Sequence, residues 1–133
     1  MKILKDNLFF KYVILFLFVS SLYFSNISIV DANANIKWIT TNVQLTAKKA
    51  IIQGYFYNSG DRGTTVKKVK LTLNTKTKKG DNIWSNVATY SDLRYGFVPA
   101  GGRQDYIFNM PGEGCPEWNG EFDYYVSWSI EYN

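Results

Sequence analysis

Residues 122–132 alternate without a break: Phe122, Tyr124, Val126, Trp128, Ile130 and Tyr132 are separated one by one by Asp123, Tyr125, Ser127, Ser129 and Glu131. A period of two marks a strand with one buried face, because successive Cβ atoms leave the pleat on opposite sides. The expectation is a half-buried strand with its even-numbered face inward. Val69, Leu71 and Leu73 alternate in the same way with Lys68, Lys70 and Thr72. Val66 falls out of phase with that set, and a bulge near Lys67 and Lys68, or a bend where the strand enters the sheet, would absorb the slip.

The rest of the chain after Ala34 has the same character. Residues 36–45, 50–58, 83–90 and 103–110 are rich in Thr, Val, Ile, Tyr, Trp and Phe, and in the last of them Tyr106, Phe108 and Met110 share a face. Between these runs stand Asn58-Ser59-Gly60-Asp61-Arg62-Gly63, Lys79-Gly80-Asp81-Asn82, Pro99-Ala100-Gly101-Gly102 and Pro111-Gly112-Glu113-Gly114. Each offers residues that accept a positive φ or preset a turn. No helix fits between breaks so closely spaced. Six or seven short strands at this spacing predict an all-β fold, a single antiparallel two-sheet sandwich of immunoglobulin-like type. A small closed barrel is the alternative.

The N-terminal quarter reads differently. Lys2, Lys5 and Lys11 against Asp6 make a basic opening, and residues 12–24 form a 13-residue run without a charge. That is shorter than the ~20 residues a spanning helix needs. Ala32-Asn33-Ala34 supplies the small-x-small pattern that a signal peptidase accepts. The expectation is a helical signal peptide over residues 1–34, cut after Ala34, with a cut after Ala32 as the near alternative and an uncleaved anchor running on through Val30 as the other. No cysteine follows the apolar run, so lipid anchoring by that route is not expected. The mature domain, residues 35–133, would be secreted, free or associated with the cell wall, and would meet a membrane only through an uncleaved leader.

Of 15 Lys/Arg in the whole chain 12 fall after residue 34, and of 11 Asp/Glu 9 do, so the domain is only mildly basic. A balance of that size does not call for nucleic acid. Cys115 is the sole cysteine and cannot pair within the chain, so the fold must rest on its core.

Ile52-Gln53-Gly54-Tyr55-Phe56-Tyr57-Asn58-Ser59-Gly60, then Thr65-Val66-Lys67-Lys68-Val69-Lys70-Leu71-Thr72-Leu73, then Val98-Pro99-Ala100-Gly101-Gly102 resemble the bacterial extracellular FxLYD-type sandwiches. In that family a strand ending in Gly-x-x-x-Asn precedes a valine-spaced strand, and a Pro-x-Gly turn opens the strand after the crossover. The resemblance spans residues 44–110. It departs from the pattern after Leu73, where Asn74-Thr75-Lys76-Thr77-Lys78 lacks the aromatic and acidic residues expected before the turn. What it implies is an exported, non-catalytic adhesion or interaction module, and it carries over no site residue.

The chemistry-bearing residues point the same way. The chain has no histidine, which removes the usual base of hydrolytic triads and the commonest zinc ligand. No cofactor is called for. Cys115 without a histidine partner is expected to be a packed thiol, or else a link between two copies in a self-associating accessory subunit. Glu113, Glu117, Glu121 and Asp123 cluster near one loop, where they read as solvated acids, less readily as a calcium site or as the carboxylate pair of a small glycan hydrolase. The aromatic content, 17% of the chain, exceeds what a core of this size needs. Trp118, Tyr125, Tyr95 and Phe97 are the rings expected outside it, on loops or on an outward strand face, as contacts for a protein or a glycan at the cell surface. The alternative is that loop rings fold back to plug the ends of the sandwich. Lys67, Lys68, Lys70, Lys76, Lys78 and Lys79 form a basic stripe that could meet an anionic polymer, or that simply protects an edge strand from pairing.

Overall fold

In the computed structural model, which describes residues 32–133, turns divide the chain into seven strands: β1 (Ile36–Thr46), β2 (Lys49–Asn58), β3 (Thr64–Lys76), β4 (Asn82–Ser91), β5 (Phe97–Val98), β6 (Arg103–Pro111) and β7 (Asp123–Tyr132). Residues 1–31, with Lys2, Lys5, Asp6, Lys11 and the apolar run of the expected signal, lie outside the described residues. The turn glycines do what their positions demand: Gly80, Gly101 and Gly114 have φ of 95°, 66° and 77°. The β1–β2 hairpin turns instead on Lys48 at φ 76°, a left-handed position without a glycine cue in the sequence.

Two antiparallel sheets result. One has the order β1-β2-β6. In the other, β3 is central: β4 and β7 both pair with the stretch Lys68 to Lys76, so they flank it on opposite edges, and β5 continues beside Thr64 and Thr65. Successive strands β2 and β3 are the centres of different sheets. These neighbour relations are those of strands A, B and E against C′, C and F in immunoglobulin-like sandwiches.

The two sheets bring different side chains to the interior. Trp38, Phe56 and Phe108 project from the first, with ring centroids 5.0 Å (Trp38–Phe56) and 5.1 Å (Trp38–Phe108) apart in edge-to-face arrangement. Val66, Val69, Leu71 and Leu73 project from β3 and Val98 from β5. Each such side chain, fully buried, contributes about 1.5–3 kcal/mol. Gly54 is what lets the Trp38 indole lie flat against β2: a Cβ there would come within 2.6 Å of that ring and would collide with the Ile39 carbonyl oxygen. Asn58 is completely buried and ties three segments together. Its Oδ1 accepts from the Asn35 and Gly60 N–H groups at 3.1 and 2.9 Å, and its Nδ2 donates to the Arg62 and Val98 carbonyls at 2.7 and 3.4 Å. The Gly-x-x-x-Asn pair of the sequence motif is thus a packing site and a clamp.

The expected slip in β3 is present, as a register shift against β7 between Val66 and Lys68. Two expectations need correction. Tyr124, Trp128 and Tyr132 do lie on the inward phase of β7, beside core residues of β3 such as Leu71, yet they remain 39%, 41% and 37% exposed. β7 is an edge strand, and the facing sheet does not cover rings that far from its centre. The lysines of β3 guard no edge either, because β3 has a strand on both sides.

Candidate functional site

Because β2 is the centre of its sheet, its outward residues sit in the middle of an open face. Alternation sends Ile51, Gln53, Tyr55 and Tyr57 outward while Ile52, Phe56 and Asn58 go in. Register sets their neighbours: Tyr57 lies between Lys37 and Arg103, Tyr55 between Ile39 and Asp105, and Gln53 between Asn42 and Ile107. The Arg103 guanidinium carbon stands 4.7 Å from the Tyr55 ring centroid, a cation–π distance, and Arg103 also approaches Asp105 at 3.5 Å. The polar floor is ordered before any ligand arrives: Thr41 Oγ1 donates to the Gln53 carbonyl at 3.3 Å and Asn42 Nδ2 to Gln53 Oε1 at 3.4 Å.

This face belongs to an open groove of about 620 Å³ that includes Thr41, Gln53, Tyr55, Arg103, Asp105 and Ile107 and extends to Arg94 and Tyr95 of the β4–β5 loop. The loop is short and conformationally costly. Asp92 and Tyr95 have φ of 53° and 63°, and the loop is fastened by the Val66 N–H, which donates to the Gly96 carbonyl at 2.8 Å. For a residue as bulky as tyrosine a left-handed backbone costs roughly 1–2 kcal/mol. Here that conformation goes with a ring 72% exposed at the groove rim, with the Arg94 guanidinium 5.7 Å from its centroid.

The other residues expected from sequence are scattered. Tyr125 is exposed on the outer face of the second sheet, and Phe97, though exposed, is a residue of strand β5 opposite Thr65 rather than of a loop. Trp118 is half-buried against the core: its N–H donates to the Leu45 carbonyl at 3.1 Å and its indole N–H to the Glu121 carbonyl at 3.4 Å. The loop that carries it is pinned to the sandwich, with Lys48 N donating to the Cys115 carbonyl at 3.2 Å and Trp84 Nε1 to the Glu113 carbonyl at 3.1 Å. Cys115 is 6% exposed, and burial pushes its thiol pKa up, so a disulfide to a second copy would first require this loop to open.

Glu113, Glu117 and Glu121 are exposed, and no metal-holding group of three His, Cys, Asp or Glu side chains occurs among the described residues. Asp123 is engaged by Lys78 at 2.6 Å, and that hydrogen bond, with the attraction behind it, keeps Lys78 protonated above its ordinary range. Lys67, Lys68, Lys70, Lys76 and Lys79 are exposed. Lys68 and Lys70 share the second sheet's outer face, away from the groove.

Of the rings singled out in the sequence, the groove therefore gathers Tyr95 alone. Its partners Tyr55, Arg94 and Arg103 come from three segments that register and the β4–β5 connection bring together. Only the outward phase of Tyr55 and Tyr57 within β2 could have signalled part of it. No protein-family model matches the chain, and a search of curated proteins finds no match to it.

Proposed function

We propose that the protein is an exported, non-catalytic binding module, delivered by the signal peptide of residues 1–34, whose groove on the β1-β2-β6 face contacts a protein or glycan at the cell surface. The supporting observation is Tyr95: a bulky ring kept in a left-handed backbone, turned to solvent, at the rim of a groove already furnished with Tyr55 and Arg103. Backbone strain of this kind persists where the surroundings over-determine it, and it concentrates at binding sites. The Gly54 and Asn58 pattern that resembles FxLYD-type domains supports an interaction module over an enzyme, and so does the open shape of the groove.

Retention of the domain on cell-surface extracts tests this. Tyr95→Gly removes the ring and the strain together, so the melting temperature should hold or rise by the equivalent of about 1 kcal/mol while retention falls roughly tenfold. Tyr55→Ala should act likewise on retention. Undiminished retention of both variants would exclude the groove as the contact surface.

A further inference from the structure

The groove is not charge-neutral. Arg94 and Arg103 stand at it and Lys37 lies one strand beyond, beside Tyr57, against the single carboxylate of Asp105. Asp105 is shared with Arg103, while Arg94 has no carboxylate within salt-bridge distance among the described residues. Both guanidinium groups sit beside tyrosine rings, at 4.7 and 5.7 Å from the centroids. A guanidinium fork presents paired N–H donors that match a carboxylate, and an exposed tyrosine presents a flat apolar face with a polar tip. An acidic sugar ring has complementary parts, a C–H face and a carboxylate on the same unit.

Two competing occupants fit less well. A peptide strand adding to the free edge of β6 would lie beside that strand, one strand away from Tyr55 of β2, and at its far end would meet the Asn109 and Pro111 carbonyls, which already accept from Tyr90 Oη and Asn86 Nδ2 at 2.9 Å each. A phosphate polymer of the glycerol type would satisfy the arginines but brings no ring to Tyr55 and Tyr95. We propose that the groove binds a carboxylate-bearing polysaccharide, a polyuronate, with Arg94 and Arg103 taking sugar carboxylates and Tyr55 and Tyr95 stacking on the rings. This rests on the groove being the contact surface.

The test uses the chain from Asn33 onward, a compact unit that holds the seven strands and the core described above. Calorimetric titration compares tetragalacturonate, its carboxyl-reduced counterpart, poly-glutamate and poly(glycerol phosphate). Expected are binding of the uronate, at least tenfold weaker binding of the reduced sugar, and about a tenfold loss on Arg94→Gln or Arg103→Gln. Raising salt from 0.05 to 0.5 M should weaken the uronate complex roughly fivefold or more. The pair Lys76→Gln and Lys79→Gln, at the end of β3 and in the turn that follows it, should change nothing.

Equal binding of the reduced sugar would overturn the acidic preference and leave a glycan groove standing. Equal binding of poly-glutamate or poly(glycerol phosphate) would reduce recognition to charge and overturn it too. Binding of no sugar, with Tyr95→Gly still lowering retention on surface extracts, would make the groove a protein site. If that retention is also unaffected, the groove itself falls.

Discussion

Replacing Asn58 by alanine removes four hydrogen bonds from one fully buried side chain and leaves the Asn35 and Gly60 N–H groups and the Arg62 and Val98 carbonyls without that partner. Three of these bonds are 2.7–3.1 Å long and one is 3.4 Å, so the last counts for less. At a net 0.5–1.5 kcal/mol per bond the loss is about 2–5 kcal/mol. For a domain near 100 residues this lowers the melting temperature by roughly 10–25 °C. Circular dichroism melts and urea titration measure both quantities.

Asn58→Asp sharpens the test, because it keeps the oxygen that accepts from Asn35 and Gly60 and turns the amide toward Arg62 and Val98 into a second acceptor. An ionised carboxylate would face two carbonyl oxygens, so its folded-state pKa must lie above the ordinary value of about 3.9. The sign follows from proton binding. With the folded pKa raised, the variant is least compromised below the unfolded pKa, loses stability as pH rises toward the folded pKa, and stays low above it. Relative to the parent protein at each pH, Asn58→Asp should therefore be markedly worse at pH 7 than at pH 3. A change of under about 1 kcal/mol for Asn58→Ala, or Asn58→Asp matching the parent at pH 7, would refute the clamp.

Two other titratable groups offer independent checks. Tyr90 is half-buried, donates to the Asn109 carbonyl at 2.9 Å, and has its pKa pushed up to about 12 by burial. Its contribution to stability should be intact below pH 10 and be lost as pH rises toward 12, and spectrophotometric titration of Tyr90→Phe should lack the latest tyrosine transition. Cys115 should react with a thiol reagent at least tenfold more slowly in the native protein than in denaturant, since burial both shields the sulfur and disfavours the thiolate. Equal rates would show that the loop bearing Cys115 opens freely.

Several features were legible because they depend on near neighbours in the chain. The phase of β7, the β3 bulge beside Lys67, the glycine turns and the inward set Tyr106, Phe108 and Met110 follow from side-chain alternation and turn chemistry. What lies across from a strand does not. Trp128 and Leu71 share a phase, but the sheet order makes β3 central and β7 an edge, so one is sealed and the other 41% exposed. Nothing near Trp118 in the chain signals that its backbone bonds to Leu45, more than seventy residues earlier. The left-handed conformation of Tyr95 had no glycine to announce it, since the Val66–Gly96 hydrogen bond that fastens its loop joins segments thirty residues apart.

The amino-acid sequence by itself determined that the chain after Ala34 folds as antiparallel β structure without an internal disulfide, because a period of two and frequent turn residues leave the backbone few other ways to bury its apolar face, whereas the choice of two sheets over a closed barrel came from the strand pairing. Only the tertiary structure decided which face carries a groove. Tyr55, Arg94, Tyr95 and Arg103 meet through strand register and through the connection from β4 to β5, and both are fixed by long-range pairing rather than by anything within a few residues of those side chains.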